Sequence, residues 1–268
     1  MLQIKEGRQG LRTFPSIEGL PRGDSEVQKA LDSPIVSRVK CFALGPLGTN
    51  IAQACEEWID RMAIHYKTSV ELCATPEESV AKARAFTKSL PIPECFADCK
   101  GIIPYGEVGV FWTCAVYYNL NRIFFENPNV YPFFVTVVMP LDEMQLAVRP
   151  ETIQQWDGRV LERRKEWQGK MQIAAHPSPS PLVQELLQES ALVKANSNAH
   201  AAEMCADGQV EMCITTEKAR KIYDLVKLHS FGSPDMLFFG GITADGAEIM
   251  KRAYQYEITP RARLSDVI

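Results

Sequence analysis

The stretch MQIAAHPSPSPLVQELLQ (residues 171–188), followed by VKANSNAHAAEMCADGQVEMCITTEKARKIYDLVKLHSF (193–231) and GSPDMLFF (232–239), decides the fold class. Short apolar runs, Gln172 to Ala175 and Glu211 to Thr215, alternate with segments of helical spacing. Each helix begins just after a turn dense in Pro, Ser or Asn. That alternation predicts an α/β domain in which strand ends feed helix N-termini. Asn196-Ser197-Asn198 precedes Ala199, Ala201, Ala202, Met204 and Cys205. The triplet therefore caps a helix and presents unpaired N–H donors, which suit a carboxylate or a phosphate.

Working outward, Val36 to Leu44 alternates charged and apolar residues and predicts a first strand. The turn Gly45-Pro46-Leu47-Gly48-Thr49-Asn50 then opens a helix with Ile51, Ala54, Cys55, Trp58, Ile59 and Met62 on one face. A second strand is expected over His65 to Cys73, with a helix from Thr75-Pro76-Glu77-Glu78. A third, Gly101 to Pro104, is read as ending in Tyr105-Gly106-Glu107, with an apolar stretch from Val108 to Leu120 beyond it. Val130 to Met139 and Met144 to Val148 are read as strands at a crossover between lobes, and Pro150 to Gly169 as a solvated, charged helix. Ala247 to Tyr256 predicts a last helix.

These segments also carry a resemblance. Three motifs occur in order: the turn His176-Pro177-Ser178-Pro179, the helix start Asn196-Ser197-Asn198-Ala199, and Thr216-Glu217-x-Ala219-x-x-x-Tyr223. Together with Gly45-Pro46-Leu47-Gly48-Thr49 and Leu146-Ala147-Val148-Arg149-Pro150, they resemble the prephenate dehydratase-like family. Within that family the chain is most similar to prephenate decarboxylases of the bacilysin-pathway type. The resemblance covers roughly residues 38 to 243. It implies a two-lobed α/β fold like a type 2 periplasmic binding protein. It divides the chain into an N-terminal extension (1–37), a catalytic domain (38–243) and a C-terminal helix and tail (244–268). Lobe 1 is expected over about 38–118 and 228–243, and lobe 2 over about 119–227. With about two dozen residues after the domain, the regulatory ACT domain of full-length dehydratases is not expected.

Composition bounds the partners. A net charge of -4 across 268 residues argues against general nucleic-acid binding, which needs a basic face. The longest apolar run, Val130 to Leu141, is broken by Pro132 and Pro140 and is too short to span a bilayer. The first residues, MLQIKEGRQG, hold no apolar signal core, so a cytoplasmic, reducing setting is expected for the eight cysteines. Cys95-x3-Cys99 is the only close pair, and no partner spacing completes a zinc site, so no metal is expected. No cofactor is implied, and the extension either wraps the domain or serves a homodimer.

Ligands of open α/β sheets sit beyond the carboxyl ends of strands. By the strand reading, Thr49, Asn50, Tyr105, Glu107, His176, Ser178, Asn196, Ser197 and Asn198 fall there. Arg149, after an apolar strand, is the expected cation for a substrate carboxylate, or else a surface residue before a turn. His176 either orients a carboxylate or bonds a backbone carbonyl. Glu107 or Tyr105 is the candidate for steering a proton. The resemblance also shows a departure: the dehydratases' Thr-Arg-Phe aligns with Met236-Leu237-Phe238. A thioether has no acidic proton for a leaving hydroxide, which disfavours dehydration. The implied activity is cofactor-free, non-aromatising decarboxylation of prephenate to a dihydro-4-hydroxyphenylpyruvate in natural-product biosynthesis. The rivals are a divergent prephenate dehydratase and a non-catalytic carboxylate- or amino-acid-binding protein, since this architecture serves many carriers.

Overall fold

The computed structural model describes residues 18–46, 48–89, 105–156, 158–167, 170–186 and 191–259. The expected strand at Gly101 to Pro104 and the Cys95-x3-Cys99 pair lie outside them.

The first lobe begins earlier than the sequence suggests. Helix α1 (Gly23–Asp32) buries Val27, Ala30 and Leu31 and packs on the last helix, so the supposed extension supplies part of the core. Strand β1 (Val36–Leu44) leads through a turn into α2 (Asn50–Arg61), and a short 3-10 turn (His65–Lys67) precedes β2 (Thr68–Cys73). Helix α3 (Pro76–Phe86) and β3 (Lys88–Ser89) follow. The stretch read only as apolar is β4 (Gly106–Cys114), eight of whose nine residues are buried. Gly109 is required there, because a Cβ would stand 2.4 Å from the Ala83 carbonyl oxygen of α3. After α4 (Leu120–Phe125), β5 (Val130–Pro140) runs as an outer strand of the same sheet.

The chain crosses to the second lobe at residues 141–143. There β6 (Met144–Val148), α5 (Pro150–Gln155), α6 (Arg164–Trp167), β7 (Gln172–Ala175) and α7 (Ser180–Leu186) come in turn. They are followed by β8 (Ala191–Lys194), α8 (Asn198–Ala206), β9 (Met212–Thr216), α9 (Glu217–Ile222) and β10 (Val226–Gly232). Strand β11 (Asp235–Thr243) returns to the first lobe and feeds α10 (Ala244–Ile258).

The sheets run β2-β1-β4-β11-β5, with β3 on β4, and β10-β6-β9-β7-β8. β11 lies antiparallel between β4 and β5, so β5 belongs wholly to the first lobe. β10 pairs with β6 and belongs to the second. The lobe limits therefore fall near 141 and 233 rather than near 119 and 228. The predicted long charged helix is instead two short ones, α5 and α6.

Each lobe has its own core. The Trp58 and Trp112 rings meet at 5.6 Å with their planes inclined by 52° at the centre of the first, where both are fully buried. In the second, Leu146, Ile173 and Ile214 fill one face of the sheet, while Ala147, Ala174, Ala201 and Ala202 let α8 lie close on the other. Five helices are capped by a hydroxyl that accepts a first-turn N–H: Thr49, Thr75, Ser197, Thr216 and Thr243. Each such cap stabilises by about 1 kcal/mol. No helix among the described residues is long and apolar enough to cross a membrane.

Candidate functional site

A cavity of about 340 Å³ lies between the two sheets. Leu44, Val116, Met236 and Phe238 of the first lobe and Met144 and Leu182 of the second make its apolar wall. Two helices of useful length open on it by their N-termini: α2, behind Thr49, and α8, behind Ser197. The unpaired N–H groups and the dipole of each favour negative charge there.

The polar residues differ in what they have left to offer. Thr49 Oγ1 donates to the Leu44 carbonyl and accepts from the Ala52 N–H, so it is satisfied within its own turn. Asn50 Oδ1 accepts from the Asp142 N–H at 3.0 Å, tying α2 to the interlobe crossing. Ser197 Oγ accepts from the His200 N–H, and the Asn196 N–H donates to His200 Nδ1. Asn198 Oδ1 is buried with no hydrogen-bond partner.

His176 accepts the Ser178 N–H on Nδ1 at 3.2 Å, which leaves the hydrogen of the neutral ring on Nε2. Burial and then the nearby Lys194 ammonium hold its pKa below the ordinary imidazole value. Ser178 Oγ donates to the Val116 carbonyl at 2.8 Å, and the Tyr118 ring meets His176 edge-on at 5.7 Å. These contacts join the lobes on one side of the cavity. Cys114 also lines it, but burial raises its thiol to about 11, so it stays protonated.

The structure brings Thr49, Asn50, His176, Ser178, Asn196, Ser197 and Asn198 together around this cavity. Three predicted residues lie elsewhere. Glu107 stands at the amino end of β4, not beyond the carboxyl end of a strand. Cys114, at the cavity, is seven residues further on, roughly 23 Å along an extended strand. The buried Glu107 carboxylate is paired with Arg38 at 3.1 Å and Lys88 at 3.2 Å. Tyr105 precedes it at the same remote end. Arg149 donates to the Cys205 carbonyl in the last turn of α8 and to the Val210 carbonyl in the loop before β9. The cause is pairing direction: β6 runs antiparallel to β9, so its carboxyl end lies at the far edge of the sheet.

Lys218 was not anticipated. It is the one charged lysine or arginine bordering the cavity, and no aspartate or glutamate borders it among the described residues. A signal for it existed in the sequence, a lysine in the first turn of a helix, where the dipole disfavours a cation.

No family model matches this chain, and no curated protein matches it. Solved structures do. The R. palustris protein Rpa4515 with adipate aligns over 81% of this chain and 80% of its own, at 12% identity and a TM-score of 0.51. The Bordetella pertussis BvgS VFT2 domain aligns over 89% and 94%, at 16% identity and a TM-score of 0.47. An amino acid ABC transporter substrate-binding protein from Streptococcus pneumoniae, bound to L-arginine, aligns over 86% and 91%, at 11% identity and a TM-score of 0.43. The chain thus has the two-lobed, periplasmic-binding-protein-like α/β fold, with its cavity where the lobes meet.

Proposed function

We propose that the cleft takes a small organic carboxylate, and that this carboxylate is prephenate, which loses its ring carboxyl group as carbon dioxide and keeps its ring hydroxyl. The observation that carries the carboxylate reading is the charge pattern. In a chain of net charge -4, the cavity is bordered by two helix N-termini and one lysine, with no acidic side chain among the described residues.

The finer reading rests on the resemblance. Gly48, Thr49, His176, Ser178, Asn196 and Ser197 belong to its motifs, and all border the one cavity. Met236, aligned with the dehydratases' threonine, stands in the wall and has no proton to give a leaving hydroxide. Loss of carbon dioxide needs no such donor. The pyruvyl carboxylate stays anchored at one positive end of the cleft while the apolar wall accommodates the ring and the departing carbon dioxide. The electron pair of the broken C–C bond passes into the ring diene and is protonated at a ring carbon. His176, with its hydrogen on Nε2, is one protic side chain at the cavity, and the Lys218 ammonium is another.

A second reading, a carrier that holds a small carboxylate or amino acid unchanged, is favoured by the scarcity of acid–base groups at the cavity. Among the described residues, His176 and Lys218 stand alone there beside a protonated Cys114. One incubation separates the readings. Prephenate is added at neutral to mildly alkaline pH beside an enzyme-free control, and products are followed by proton NMR and mass. A non-aromatic product retaining the hydroxyl is expected. Phenylpyruvate would mean dehydration, and prephenate bound but unchanged would mean a carrier.

A further inference from the structure

Lys218 has neighbours that are all engaged. Lys221 pairs with Glu217 at 2.8 Å and Lys227 with Glu143 at 3.6 Å. Arg220 donates to Gln145 Oε1 and to the Leu225 carbonyl. The Lys218 backbone N–H donates to Asp142 Oδ2 at 2.8 Å, which fixes the start of α9 against the interlobe crossing. Its ammonium, by contrast, has no hydrogen bond or ion pair with a described residue.

That ammonium reaches the other lobe. It lies against Gly48, where an added Cβ would stand 2.7 Å from Nζ. Gly48 has φ +86, a conformation that leaves the turn without a side chain where the lysine arrives. Two positive ends therefore meet across the gap, the N-terminus of α2 and the lysine, and no acidic side chain borders the cavity between them among the described residues. An ammonium offers three donors and no acceptor, so an anion is what completes this arrangement. It stands on the first-lobe turn, whereas Ser197 and the α8 N-terminus offer donors from the second lobe.

We propose that Lys218 is the specificity-determining residue of the cleft: it holds the second carboxylate of a dicarboxylate against the Gly48 turn of the opposite lobe. The inference rests on the carboxylate reading of the cleft and adds to it a requirement for two anionic groups, each met by a different lobe. A monocarboxylate satisfies one site and leaves the lysine facing α2.

The test is a calorimetric comparison of two inert ligands. Benzylsuccinate carries a ring and two carboxyl groups, and 4-phenylbutyrate is the same skeleton less one of them. The wild-type chain is expected to prefer benzylsuccinate by tenfold or more. Lys218→Met removes that preference while leaving 4-phenylbutyrate binding within about threefold, and Lys218→Arg restores most of it. Lys218 is exposed, so the variants keep the fold, which the unfolding temperature verifies. A preference that survives in Lys218→Met overturns the inference. Wild-type protein that binds prephenate yet shows no preference between the probes also overturns it, with the carboxylate reading intact. Protein that binds none of the three ligands overturns both.

Discussion

Arg149 and Lys218 are two cations of one lobe, each just beyond an apolar strand and each at the start of a short helix. Their surroundings are opposite. Arg149 is half-buried and committed to two carbonyls, that of Cys205 at the C-terminus of α8, where a guanidinium answers the negative end of the dipole, and that of Val210 in the loop beyond. Lys218 is exposed, faces the cavity and has no such partner among the described residues. The difference comes from β6 and β9 running antiparallel, with Met144 opposite Thr216 and Val148 opposite Met212. One strand delivers its cation to the closed edge of the sheet and the other to the cleft. A cation after a strand is thus a site candidate only once the direction of that strand is known.

The sharpest way to break this contrast is Arg149→Met. Charged hydrogen bonds contribute about 1.5–3 kcal/mol each, and the variant leaves two carbonyls unanswered. A loss of about 2–3 kcal/mol in denaturant unfolding is expected, with carboxylate affinity of the folded protein unchanged. A fall in affinity without a fall in stability would give Arg149 the role assigned to Lys218. Ser197→Ala comes next. It removes the α8 cap, costs about 1 kcal/mol, and also takes a hydroxyl from the cleft, so both stability and affinity should drop. Gly48→Ala should cost a similar amount, since a left-handed backbone penalises a Cβ by about 1 kcal/mol. It also displaces the Lys218 ammonium, so dicarboxylate affinity should fall severalfold. Unchanged affinity would make the turn purely architectural.

Most of the secondary structure was legible because local chemistry fixes it. The span Gln172–Ala175 is a strand as read, and Ser197 of the Asn196-Ser197-Asn198 triplet does cap a helix. Strand direction and sheet order were not legible, since they depend on pairing between distant segments. That is why Arg149 falls at the other edge of the second sheet, whereas Glu107, expected just after a strand over Gly101 to Pro104, lies inside the start of β4 because the strand bounds differ. It is also why α1 was taken for an extension: its three buried residues, Val27, Ala30 and Leu31, make sense only once α10 lies beside them. Lys218 escaped for a related reason. Its near partner, Gly48, is 170 positions earlier in the chain and in the other lobe.

The smallest effect belongs to the other side of the cleft, where His176 and Ser178 join the lobes. Nδ1 of His176 accepts the Ser178 N–H, and Ser178 Oγ donates to the Val116 carbonyl. Burial and Lys194 depress the His176 pKa, so the folded chain favours the neutral ring. In the unfolded chain the ring titrates near its ordinary value of about 6.5. On acidification below that value the unfolded state takes up the proton first, so this group's stability contribution is full above about pH 6.5 and declines below it. Once the folded ring is protonated, Nδ1 becomes a donor and its bond from the Ser178 N–H is lost. Unfolding measured at pH 7.5 and 5.5 should therefore show the wild type losing more stability than His176→Gln, while carboxylate contributions common to both cancel in the difference. Equal losses would mean that the ring titrates alike in the folded and unfolded chains, and a smaller loss in the wild type would mean that the folded chain holds the ring protonated. A ring held protonated would add a second charge beside Lys194 on this side, and the contrast between a neutral imidazole here and the Lys218 ammonium across the cleft would disappear.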